Sequence, residues 1–206
     1  MRAVLAVGAL ALAGCSSEQP GNPVADGSSP GGTGSASSAP PGSGNGLPAA
    51  GAPKVASPLT DTLSFRQEPC SVLTPAQLGQ LGVPAQGEKT AGPTGPRCRW
   101  YEQATSAAAT IQWVEATKRG LTAAYEHRGE YDVFKPMADI NGYPTVAYGL
   151  KTDAAGGACA VLVGVTDELA YQAGIVQSRD NRGTEDPCEV AHTVAGMMLE
   201  TIKGGS

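Results

Sequence analysis

The chain has 206 residues, a formal charge of −5 and a pI near 5.0, with 28 Gly and 16 Pro against only 2 Trp, 6 Tyr and 2 Phe. That acidic balance gives no basic footprint for nucleic acid. A uniform globule is excluded too: every aromatic residue follows residue 60, while 33 of the 43 residues in 16–58 are Gly, Pro, Ser or Ala.

Residues 3–13 form an uncharged run of 11 behind Arg2. At ~1.5 Å per residue this helix is too short for a ~30 Å hydrocarbon core; it has the length and flanks of a secretory signal. It ends in Leu12-Ala13-Gly14-Cys15, which resembles a bacterial lipobox. That resemblance implies removal of residues 1–14, a thioether-linked diacylglyceryl group on the Cys15 sulfur, and an acyl chain such as palmitate on the new N-terminus. Each buried methylene contributes ~0.8 kcal/mol, so two or three chains hold firmly. Without Arg2, 13 basic residues face 19 acidic ones, a net −6, and an anionic lipid surface offers no attraction of its own. The next tract has Val24, Leu47 and Val55 as its only large aliphatics and cannot offset its ordering entropy. As a flexible coil its 43 residues span roughly 35–40 Å. The expected organisation is a lipoprotein signal peptide over 1–14, a lipid anchor and disordered linker over 15–60, and a single domain over 61–206, an ordinary single-domain length.

Within that domain Thr74, Pro75 and Gln77 form a capping box with Pro at the first helical position; Leu78 and Leu81 give the helix an apolar side and Gly82 ends it. Residues 87–96 are expected to be a loop, punctuated by Gly92-Pro93 and Gly95-Pro96. Strands follow over 98–101 and 109–115, where Ala109, Ile111 and Trp113 alternate with polar neighbours. A short helix is expected over 121–128. Residues 133–137 make an edge strand, since Pro136 cannot sit inside a sheet. After the Asn141-Gly142 turn, residues 145–150 place Val146, Tyr148 and Leu150 on one face. The apolar run 158–165 is the candidate central strand, with 169–176 returning antiparallel to it. Asp186 caps a last helix with Pro187 first, Val190, Ala191, Val194, Ala195, Met198, Leu199 and Ile202 at helical spacing, and Lys203 in the last turn. The fold class is therefore α+β, an antiparallel sheet with helices packed on one face.

Removing Cys15 leaves Cys70, Cys98, Cys159 and Cys188, an even set in an exported domain, which points to two disulfides. None has the C-x-x-C spacing of a zinc or redox site. Sequential pairing, Cys70–Cys98 and Cys159–Cys188, pins one helix start to the sheet in each case and is favoured; Cys70–Cys188 is the alternative. Each sequential loop contributes about 3.5 kcal/mol in the chain-entropy model.

The lipobox, the Gly/Ser/Pro linker, Glu68-Pro69-Cys70 with Leu73-Thr74, Cys98-Arg99-Trp100, Gly142-Tyr143-Pro144 and Asp186-Pro187-Cys188, in that order, resemble an actinobacterial lipoprotein family, domain of unknown function 3558. Glu68 stands where that pattern more usually has Asp. The resemblance implies a cell-surface lipoprotein and brings no activity with it.

Chemistry is sparse. His127 and His192 are the only side chains with ordinary pKa values near neutrality, one near a helix end and one on the last helix; structural roles are expected for both. No G-x-S-x-G, H-E-x-x-H or Walker loop occurs. No catalytic residue, metal or cofactor is expected. Among Trp100, Tyr101, Trp113, Tyr125, Tyr143, Tyr148 and Tyr171 the two Trp residues belong to the core, and a tyrosine near Gly142 is the better recognition residue. The expected protein is a monomeric, non-enzymatic binding or accessory module on the extracytoplasmic face of the cell membrane, held by the lipid on Cys15. Its partner would be an envelope protein, glycan or lipid. A carrier of a lipid or small hydrophobic ligand is the alternative, and an envelope hydrolase a more distant one.

Overall fold

In the computed structural model, which describes residues 46–204, most of the alternating apolar residues of the strands come to one side of a seven-stranded sheet. The expected signal peptide, Cys15 and the linker up to residue 45 lie outside the described residues. The strands are β1 (Glu88–Ala91), β2 (Pro96–Tyr101), β3 (Ala108–Val114), β4 (Val133–Ile140), β5 (Tyr143–Gly149), β6 (Ala158–Gly164) and β7 (Ala170–Val176). Their order is β1-β2-β3-β7-β6-β5-β4, and every neighbouring pair is antiparallel. Two meanders, β1-β2-β3 and β4 to β7, are thus joined edge to edge through β3 and β7. The helices are α1 (Leu63–Gln67), α2 (Pro75–Gln80), α3 (Gly120–Glu126), α4 (Lys151–Ala155) and α5 (Pro187–Gly204). This is the antiparallel α+β fold that the patterning predicts.

Residues opposite one another in an antiparallel pair share a face. Ile111 lies opposite both Cys98 and Ala173, and Trp113 opposite Tyr171. Together with Val161 and Val163 they form a fully buried layer under α5, whose Ala191, Val194, Ala195, Met198, Leu199 and Ile202 are buried in turn. Trp113 Nε1 donates to the Phe65 carbonyl at 3.1 Å and the Tyr171 hydroxyl to the Ala195 carbonyl at 2.8 Å, so neither large ring is buried with an idle polar atom. Asp186 caps α5 by accepting from the Cys188 N–H at 2.8 Å. In the α2 capping box the Thr74 N–H donates to Gln77 Oε1 and the Gln77 N–H to Thr74 Oγ1; Gln77 Nε2 also donates to the Met197 carbonyl, tying α2 to α5. Disulfides join Cys70 to Cys98 and Cys159 to Cys188, with Cα–Cα separations of 5.1 and 5.0 Å. One pins the 3₁₀ turn before α2 to β2, the other the first turn of α5 to β6.

Four expectations change. Residues 87–96 are not all loop, because Glu88–Ala91 pairs with β2 as an edge strand; it has no apolar alternation and is held mainly by backbone pairing, with Arg97 on Thr90 and Lys89 on Glu68 beside it. The central strand is β7 rather than β6. The apolar run of β6 reflects burial on both faces, with Val161 and Val163 under α5 and Leu162 in a second cluster with Leu121 and Ala124 of α3. That places α3 on the opposite side of the sheet from α5, over one end. Gly120 opens α3 at φ +46°, and a Cβ there would stand 2.7 Å from the Asp167 carbonyl, so the close approach requires glycine.

Packing also starts before residue 61. Leu47 and Val55 are buried, and residues 47–59 form a strap. The Ala49 N–H donates to Thr122 Oγ1 at 3.1 Å, Arg128 donates to the Ala50 carbonyl at 2.9 Å, the Val55 N–H to Asp167 Oδ1 at 2.9 Å, and the Leu59 N–H to the Val165 carbonyl at 2.8 Å. The strap uses its own backbone groups, which composition does not register.

Candidate functional site: the open face of the sheet

The face turned away from α5 is covered only in part. Its residues run across the strands in two rows. One reads Arg97, Gln112, Gln172, Leu162 and Val146; the next reads Arg99, Thr110, Gly174, Ala160 and Tyr148. The first row becomes apolar where α3 covers it. The second is made of small residues between an arginine and a tyrosine, and a depression follows. A Cβ on Gly174 would meet only the Gln172 side chain at 3.7 Å and Thr110 at 3.8 Å, so no neighbour fills that space.

The depression is a trough of about 360 Å³, with Arg97 and Arg99 of β2 at one side and Leu150, Asp153 and Ala154, at and within α4, at the other. It lies within the ~300–1,000 Å³ range of small-molecule sites. Cys159 and Cys188 also line it. Tyr101 and Leu150, two of the three large apolar side chains left exposed among the described residues, flank it. The Arg99 guanidinium rests 4.4 Å from the centre of the Tyr101 ring.

A second hollow of about 350 Å³ lies toward α3, lined by Thr94, Ala124, His127 and Tyr131. Gln112, Gln172 and Tyr148 border both, forming a rib between them. The rib's hydrogen bonds are internal: Tyr148 donates to Gln172 Oε1 at 2.5 Å, and Gln112 Nε2 to Thr94 Oγ1 at 2.6 Å. Burial, and secondarily Tyr131, push the Tyr148 phenol well above its usual pKa, so it stays a neutral donor.

Arg97 donates from Nε to Thr90 Oγ1 at 3.1 Å. Among the described residues the ion pairs engage Arg66, Lys89, Arg119, His127 and Lys135; neither Arg97 nor Arg99 has a carboxylate partner. Both arginines leave β2 on the open face, two residues apart.

The other candidate residues go elsewhere. His127 Nδ1 pairs with Glu130 at 2.9 Å on the surface, and that hydrogen bond, with the carboxylate charge, raises its pKa. His192 Nε2 lies 2.8 Å from the Ala138 carbonyl, bracing α5 against β4. Neither histidine has a hydroxyl or thiol among its hydrogen-bond partners here. No group of three His, Cys, Asp or Glu side chains among the described residues is placed to hold a metal. Trp100, Trp113 and Tyr171 are buried in the layer under α5, and Tyr125 packs in the second cluster. Tyr143, expected at the surface beside Gly142, is buried with Lys203 of α5 over its ring, because the β4–β5 hairpin turns that ring toward the helix. Of these aromatic residues only Tyr148 lines the trough, and Tyr101 sits beside it against Arg99. The arginines were missed, although alternation carries the signal: Cys98 and Trp100 face the core, so Arg97 and Arg99 must face away.

A model of the family described as protein of unknown function (DUF3558) matches residues 10–201. The chain belongs to the DUF3558 family. The DUF3558 match takes in the strap as well as the sheet. No curated protein and no solved structure matches the chain. Among its described residues no helix is long and apolar enough to cross a membrane.

Proposed function

We propose that this DUF3558 chain is a cell-envelope lipoprotein of the actinobacterial kind, anchored through lipid on Cys15. It works as a non-enzymatic binding module on the extracytoplasmic face, through the open side of its sheet. The observation that carries the binding role is the trough between Arg97, Arg99 and Leu150, a concave, mostly apolar surface with two cations that have no carboxylate partner. The Leu12-Ala13-Gly14-Cys15 motif supports the anchor. The histidine partners favour binding over hydrolysis, since a hydrolase needs a base within reach of a nucleophile. The carrier reading draws on the same trough, because the layer between sheet and α5 is filled by Trp113, Tyr171, Val161 and Met198.

Two measurements test this. Replacing Cys15 by Ser should move the protein from the membrane fraction to the soluble one; persistence in membranes overturns the anchor. A photo-crosslinking residue at Tyr101 should capture an envelope component in intact cells, and one at Glu200, exposed on α5, should not. Equal capture at both positions, or none at Tyr101, overturns the open face as the binding surface.

A further inference from the structure

We infer that the trough takes a single-chain amphiphile with a phosphate head, the head seated at Arg97 and Arg99 and the acyl chain lying over Thr110, Gly174 and Ala160 toward Leu150. This rests on the reading of the open face as a binding surface and specifies what binds there.

The ligand class follows from which polar groups are free. In the interior strands of a sheet the backbone N–H and C=O groups are already paired, so the floor offers a peptide no ladder to extend. Each amide side chain has one group engaged on the rib, Gln112 Nε2 on Thr94 and Gln172 Oε1 under the Tyr148 hydroxyl, which leaves one amide group of each for a ligand. A sugar could use those two amide groups, but over Gly174, Ala160 and Ala158 its remaining hydroxyls would meet no side-chain polar group. The positive charge is gathered on one strand, where Arg97 and Arg99 have no carboxylate partner, while the floor beyond it is Gly174, Ala160, Ala158 and Val176. A ligand suited to this surface is charged at one end and apolar along its length.

Orientation follows as well. Asp153 stands on the opposite wall and disfavours an anion there. Leu150 extends the apolar surface on that side, half exposed. Four inter-strand steps separate β2 from β5, about 19 Å, which is room for an extended acyl chain. A phosphate monoester carries roughly −1.5 to −2 charge at neutral pH, matching two guanidinium groups more closely than a carboxylate does. A planar membrane surface fits less well, because a trough sunk between two walls cannot be covered by a plane.

The test is titration calorimetry on the full chain carrying Cys15→Ser, with a chain-length series of lysophosphatidates below their critical micelle concentrations. Affinity should rise about twofold per methylene, half the effect of full burial on a logarithmic scale, and level off once the chain outruns the ~19 Å floor. Arg97→Gln with Arg99→Gln should weaken binding about tenfold or more, the order expected for a lost charge-assisted hydrogen bond. Gly174→Leu should weaken binding by filling the floor. Thermal melts of the variants should match the parent, and should Gly174→Leu fail to fold, the arginine variant carries the test. Equal affinity for lysophosphatidylcholine of the same chain length, equal affinity for inorganic phosphate alone, or unchanged binding by the arginine variant each overturns the proposal. Failure of lysophosphatidate to bind, with Tyr101 still capturing another component in cells, overturns only the ligand class. Failure of both overturns the binding surface too.

Discussion

Gln112 and Trp113 are adjacent in β3 and point to opposite sides of one sheet. Trp113 packs edge-on against Tyr171, with ring centres 5.7 Å apart, under a helix of 18 residues. Gln112 sits on the rib between two hollows, and α3, which covers part of its face, has only 7 residues. On the α5 side the large apolar side chains are buried and the Tyr171 hydroxyl and Trp113 indole are satisfied, while the buried Trp100 indole N–H has no partner. On the other side small residues leave space, and two cations have no counter-ion. One face is closed, the other left open.

The largest expected effect that would sharpen this contrast is at Trp113. Trp113→Ala should cost about 3–5 kcal/mol in urea unfolding, through lost burial and a cavity under α5. Arg99→Gln, one strand away on the open face, should stay within about 0.5 kcal/mol. Similar losses at both positions would break the distinction between the faces. Asp167→Ala tests the strap, which reaches from α3 to the β6–β7 hairpin. It removes the acceptor for the Val55 N–H and should cost about 1–2 kcal/mol, with faster proteolysis near residue 55. The smallest effect concerns His127. Its raised pKa in the folded state means that its contribution is complete below the unfolded value of ~6.5 and is lost as pH rises through the folded value. Proton NMR should show it titrating above an ordinary histidine, and Glu130→Gln should bring it back.

How far the sequence foretells this molecule depends on what kind of group makes each contact. α5 and the α2 capping box are legible because side chains at fixed spacing make their contacts. The pairing of Cys70 with Cys98 and of Cys159 with Cys188 could be favoured because each loop begins or ends at a recognisable helix start. β1 and the strap were not legible, because Glu88–Ala91 and residues 47–59 are held largely by backbone hydrogen bonds that Glu, Gly or Ala can make equally well. The site lay between these cases. Alternation around Cys98 and Trp100 turns both arginines outward, but the trough also needs Gly174 and Ala160 beside Thr110, and only the strand order brings them together. Tyr143 misled because a turn residue is ordinarily exposed, whereas this hairpin folds back under α5.

The strap also determines how the domain would bear a load. Tension applied upstream of Gly46 reaches α3 and the turn after it first, through Ala49 on Thr122 and Arg128 on Ala50, and then the β6–β7 hairpin through Asp167 and Val165. That hairpin ends at β7, the middle strand, with three strands on either side. Such a pull therefore enters the sheet at its centre, where several hydrogen-bonded ladders share it, and bypasses β1 and β4, the strands that would peel most easily.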